Sequence, residues 1–179
     1  MKKIIAASLI LFAGTVICSA GEGNLIGKAA EFIPAASPVN KMYNIARWEI
    51  KGMDYSCATD SDGKKYIEGK FTGTKQRWFK TVINNPGKGK FVFSARIWTG
   101  KPLKQITLFR YSQGPDKKPV YQSKNFYGRD LPAVNSWKTL MTTLDFPEDT
   151  KRFNLIIQLR GDENTTVRMA EPALRKLEE

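Results

Sequence analysis

Histidine is absent from the 179-residue chain. That absence removes the commonest general base, the commonest zinc ligand and every Ser–His or Cys–His nucleophile pairing. Cysteine is nearly as scarce, with only Cys18 and Cys57. Cys18 lies in a leader-like N-terminus, so Cys57 has no internal disulfide partner and the fold must hold by packing. A lone thiol in an oxidising compartment is expected to be buried as a small hydrophobe. No Gly-rich phosphate loop joins a strand to a helix; GKGK at 87–90 reads as a hairpin turn, which argues against a nucleotide site. Acidic residues are outnumbered, 17 against 29 basic ones, for a formal net charge of +12. Such a surface favours polyanions: acidic polysaccharide, anionic lipid head groups or nucleic acid. The plainer account is that lysines keep a β-protein soluble and blunt its sheet edges.

The first twenty residues carry a different signal. MKK is a positive start, IIAASLILFAGTVI an apolar run, and CSA ends in the small residue that signal-peptidase cleavage after Ala20 requires. The run is shorter than the roughly 20 residues a spanning helix needs. Lipidation at Cys18 is the competing reading, against which Ile17 is bulky for the preceding position. No later segment is apolar enough to span a membrane. The expectation is a signal peptide at 1–20 and one domain at 21–179, periplasmic or secreted, with no nucleic acid partner.

Past the leader, no stretch sustains a 3.6-residue apolar period. The period is two, in short runs bounded by turn residues, which predicts an all-β, two-sheet antiparallel β-sandwich of about nine strands. The runs lie near Arg47–Ile50, Lys65–Phe71, Gln76–Ile83, Lys90–Thr99, Gln105–Ser112, Val120–Phe126, Trp137–Phe146, Phe153–Arg160 and Thr166–Leu174. DSDG, NNPGKG, TGKP, QGPDKKP and RGDEN punctuate them with residues that preset or bond turn backbones. Ala29–Tyr43, with Pro34 and Pro38, reads as irregular chain along the sandwich edge. Phe91, Phe93, Ala95 and Ile97 share one face, as do Leu155, Ile157 and Leu159; such rows fuse into the core. The outer rows are left over, and one of them sets Arg96 beside Trp98.

Catalysis by carboxylates alone remains open to the chain, but most acids fall in turns or in the terminal KLEE, where solvated charge is the ordinary reading. DSDGK at 60–64 and GDEN at 161–164 offer only oxygens and match no full calcium-loop spacing. The chain is therefore read as not an enzyme and as needing no cofactor.

Three stretches resemble the carbohydrate-binding modules of the galactose-binding-like jelly-roll class, above all its xylan- and glucan-binding members. They are NLI at 24–26 with Trp48 following, TVINNPGKGKFVFSARIWTG, and the closing WKTLMTTLDFPEDTKRFNLIIQLRG with TTVRMAEPALRKL. The resemblance spans nearly the whole chain beyond the leader and implies a jelly roll that holds sugar without cleaving it. Trp48 and Trp137 stand where the family keeps structural tryptophans. Some members hold a structural calcium through acids at the N-terminus and in the last strand. Here the former reads GKAAEF and the latter has only Glu171, followed by Pro172. Arg96 stands where many members have an aromatic ring.

A glycan site needs flat rings for the C–H face of a sugar and planar polar groups for its hydroxyls. Outer-row residues of that kind are Trp78, Arg96, Trp98, Phe109, Tyr111, Gln158 and Arg160, expected to converge on one trough if their strands are neighbours. Whether Trp78 or Phe79 points outward is open from the sequence. The competing expectation for Arg96 and Arg160 is simple ion pairing with Glu68 or Asp162, and Tyr121, Phe126 and Tyr127 beside GRD at 128–130 are the alternative, a loop-tip site. Arg-rich rows and positive charge favour acidic glycans. The alternative is a protein-interaction or assembly subunit on the same sandwich.

Overall fold

A computed structural model describes residues 24–26, 48–73, 76–113, 119–147 and 151–177. The expected signal peptide and the Ala29–Tyr43 segment lie outside the described residues. Among the described residues ten strands form: β1 Trp48–Lys51, β2 Met53–Thr59, β3 Lys65–Phe71, β4 Arg77–Asn84, β5 Gly89–Thr99, β6 Leu103–Gln113, β7 Pro119–Phe126, β8 Trp137–Phe146, β9 Arg152–Gly161 and β10 Thr166–Lys176. They make two antiparallel five-stranded sheets, β1-β4-β9-β6-β7 and β2-β3-β10-β5-β8. The expected all-β jelly-roll sandwich is what the chain forms. No helix among the described residues is long and apolar enough to cross a membrane.

The nine expected strands are present, and β2 is the addition. MDYSCAT lacks clean alternation because β2 is an edge strand on which only Met53 is fully buried. Cys57, expected to be buried, is half-buried there, packed against the core. The remaining inward rows alternate as the sequence dictates: Phe79 and Ile83 on β4, Leu155, Ile157 and Leu159 on β9, and Phe91, Phe93 and Ile97 on β5 are all buried. Trp48, expected to be structural, is fully enclosed in this core. Phe146 of the second sheet and Phe153 of the first have ring centroids 4.3 Å apart, joining the layers.

Among the described residues two inward positions hold arginines. Arg77 stacks over Phe71 at 4.6 Å and donates to the carbonyls of Gly161 and Thr72. Arg110 lies over Phe146 at 5.1 Å. They face Leu159 and Leu155 on β9, so each cation caps the core toward a different end. Asn24 fastens the N-terminal piece to β10: its Oδ1 accepts Leu174 N–H at 3.0 Å while its Nδ2 donates to Pro172 O at 3.2 Å. Beside it, β10 bulges between Ala170 and Ala173, putting Glu171 at φ 49°, a left-handed conformation costly for a residue with Cβ.

Candidate functional site

The sandwich separates the seven sequence-predicted residues. Trp78 (β4), Gln158 and Arg160 (β9), and Phe109 and Tyr111 (β6) lie on the outward face of the first sheet. Arg96 and Trp98 lie on β5, on the outward face of the second. With sheets packed about 10 Å apart, the two groups look away from each other across the core. The single trough is thus corrected to two faces. The TGKP turn carries the chain from one sheet to the other. The crossing is held as Gly100 N–H donates to Thr166 O at 2.8 Å.

On the first face, register builds a cross-strand row in which Lys51 opposes Trp78, Trp78 opposes Gln158, Gln158 opposes Thr107 and Thr107 opposes Asn125. Trp78 points outward, since Phe79 is the buried neighbour. Gln105 Nε2 donates to Thr107 Oγ1 at 2.8 Å and to Asn125 Oδ1 at 2.9 Å, fixing that end of the row. The next row runs Glu49, Lys80, Ile156, Phe109 and Ser123. Ile156 points outward yet is only 8 % exposed, giving the face an apolar floor. A third row sets Asn154 beside Tyr111 and Tyr121, whose rings lie 5.1 Å apart, with Tyr121 63 % exposed. Tyr121 therefore joins Tyr111, whereas Phe126 of the alternative loop-tip site is buried in the core. Arg160 sits beside Gln105 and is exposed.

The second face is differently built. Arg168 is held between two rings, its guanidinium carbon 4.3 Å from the Trp98 centroid and 5.1 Å from that of Tyr66, with Nε donating to Glu68 at 2.7 Å. Arg96 lies 5.2 Å from the Trp137 ring and pairs with Glu171 at 3.4 Å, while Lys64 takes the other Glu171 oxygen at 2.9 Å. Trp137, expected to be structural, is a half-exposed member of this outward cluster. The expected ion-pair partners are reassigned too: Glu68 serves Arg168, and Asp162 serves Lys104. Hydrogen bonding from Lys104 holds the Asp162 carboxyl below its ordinary pKa. Here one of the protein's own guanidinium groups already lies over each of the Trp98, Tyr66 and Trp137 rings. Sequence reasoning missed Arg168 and Tyr66, although each stands two residues from other outward positions on its strand.

No family model matches the chain, and a search of curated proteins finds no match. Solved structures do resemble it. A family 22 carbohydrate-binding module from Clostridium thermocellum superposes with TM-score 0.52 at 12% identity, over 73% of this chain and 86% of that one. A xylan-binding domain from Paenibacillus barcinonensis gives 0.53 at 9%, over 74% and 86%. The fold is that of carbohydrate-binding modules. A tailspike enzymatic domain from bacteriophage CBA120 also matches, at TM-score 0.54 and 12% identity, over 81% of this chain but 22% of that one.

The structural calcium that the resemblance raised would draw on GKAAEF at 27–32, which lies outside the described residues, and on the last strand. Among the described residues no three metal-ligating side chains gather. Glu171 is already committed to Lys64 and Arg96. In the 60–64 turn, Asp60 Oδ1 instead accepts the backbone N–H groups of Asp62 and Lys64.

Proposed function

We propose that the protein is an exported, non-catalytic carbohydrate-binding protein that holds an oligo- or polysaccharide across the outward face of the first sheet, with acidic chains preferred. The observation that carries this reading is the register of Trp78, Gln158 and Thr107 on neighbouring strands, with Phe109 and Tyr111 in the next two rows. Strands about 4.8 Å apart and rows about 6.7 Å apart place rings and amides at intervals a sugar chain can follow. The rings supply stacking surface, and Gln158, Asn154 and Asn125 supply amide donors and acceptors for hydroxyls. Lys51 and exposed Arg160 on the same face, with the full chain's net charge of +12, of which the leader's Lys2 and Lys3 supply two, support the preference for acidic chains. Export rests on the MKK-led leader, and 21–179 is read as one domain.

Affinity electrophoresis against pectin, alginate and neutral xylan tests the reading. Retardation by the acidic chains is expected, with no release of reducing sugar. Retardation by xylan alone removes the acidic part. No retardation in any gel, with a silent glycan array, refutes glycan binding and favours the assembly-subunit alternative.

A further inference from the structure

Edge strand β1 brackets the Trp78 indole. Glu49 and Lys51 are two residues apart and share the outward row, so both reach β4, where Glu49 opposes Lys80 and Lys51 opposes Trp78. Glu49 Oε1 accepts the Trp78 Nε1–H bond at 3.3 Å, and its other oxygen pairs with Lys80. The indole is thereby fixed by its N–H. Over its ring sits Lys51 Nζ, 4.7 Å from the centroid, donating to Gln76 Oε1 at 3.1 Å. The two cations differ in kind. Lys80 is neutralised by a carboxylate with which it is largely shielded from water, whereas Lys51 is exposed and anchored by an amide and a π-face.

We infer that Lys51 is a displaceable cap that makes the Trp78 platform selective for sugars bearing carboxylate or sulfate. The inference rests on the glycan reading of this face. A neutral sugar stacking on the capped side must push the ammonium off the ring and forfeits the cation–π contact and the Gln76 bond. An acidic sugar forces the same displacement but gives the departing ammonium an anionic partner, which offsets the loss. Specificity is a difference of two affinities, and Lys51 enters the two with opposite sign.

The test runs the purified protein and its Lys51→Met and Lys51→Arg variants in gels containing polygalacturonate or neutral xylan. Lys90→Met, on the second sheet, matches the loss of charge, and thermal melting checks folding. For Lys51→Met, affinity for xylan should rise about two- to fivefold, the equivalent of one exposed cation–π contact. Its affinity for polygalacturonate should fall by a similar factor or more, while Lys51→Arg keeps the original preference. The inference is overturned if Lys51→Met weakens both gels together, leaves their ratio unchanged, or matches Lys90→Met. A parent protein retarded in neither gel is a separate failure, that of the glycan reading itself, and takes this inference with it.

Discussion

Replacing Gln122 with alanine should destabilise the protein by much more than an exposed edge-strand glutamine normally would. Arg110 points into the sandwich from β6 and is 6 % exposed. Burial pulls its pKa below the ordinary arginine value, a shift that nearby Asp145 partly opposes. Its Nε–H donates to Gln122 Oε1 at 3.2 Å and its Nη1 to Ser112 Oγ at 3.2 Å. The same Gln122 oxygen accepts Asp145 N–H at 2.7 Å, and Gln122 Nε2 donates to Asp145 Oδ2 at 3.0 Å. Gln122 thus relays a buried cation on the first sheet to a carboxylate on the second. Alanine removes all three bonds and leaves the guanidinium short of an acceptor. A bond to a charged group contributes about 1.5–3 kcal/mol and a neutral one about 0.5–1.5. The Asp145 groups are exposed and recover water, so the expected cost is about 2–4 kcal/mol. At about 2–4 °C per kcal/mol for a domain of this size, melting should fall by roughly 5–12 °C. Urea unfolding of Gln122→Ala, Arg110→Met and the double variant apportions the effect. Without the buried charge, losing Gln122 should cost about 1 kcal/mol or less, a coupling of about 1.5–3 kcal/mol. A Gln122 penalty equal in both backgrounds would refute the relay.

Other expectations concern the second face, the bulge and the thiol. Arg168→Ala removes the guanidinium between Tyr66 and Trp98 and should cost about 1–2 kcal/mol. Tryptophan emission should shift to the red while glycan retention stays unchanged; lost retention would make this face part of the site. At Glu171, φ 49° predicts that glycine is accepted within about 0.5 kcal/mol, strain relief offsetting exposed ion pairs, whereas valine costs about 2 kcal/mol. Equal melting temperatures for the two variants would contradict that backbone. Burial pushes the Cys57 thiol pKa up, with Lys65 partly opposing. Since the folded pKa is raised, this contribution is full below the unfolded thiol pKa and fades as pH climbs through the folded one. Cys57→Ala should therefore flatten the alkaline fall of stability, and superimposable profiles would count against it.

Period-two rows were enough to place the core. Phe91, Phe93, Ala95 and Ile97 are buried as one face, and Leu155, Ile157 and Leu159 as another. The same rule marks Arg110 as inward, two residues beyond Leu108, but a charge in an apolar row reads as the end of burial until Phe146 and Gln122 are seen to receive it. What periodicity cannot carry is sheet membership. It says that Trp98 and Tyr111 both point outward, yet not that β5 pairs with β8 and β10 while β6 pairs with β7 and β9. Pairing is decided by packing between residues far apart in sequence. The candidate site therefore came apart between strands rather than within them. Five of its residues stayed together because β4, β9 and β6 are neighbours in one sheet. Edge strand β2 escaped notice because an exposed strand need not alternate.

Glycan retention of Trp78→Ala, Tyr111→Ala and Trp98→Ala, compared in one affinity gel with folding verified by circular dichroism, tests most directly which face holds sugar. Retardation should be lost or greatly reduced in the first two variants and preserved in the third. A Trp98→Ala protein that no longer binds, beside a Trp78→Ala protein that does, would move the site to the opposite sheet and contradict the account.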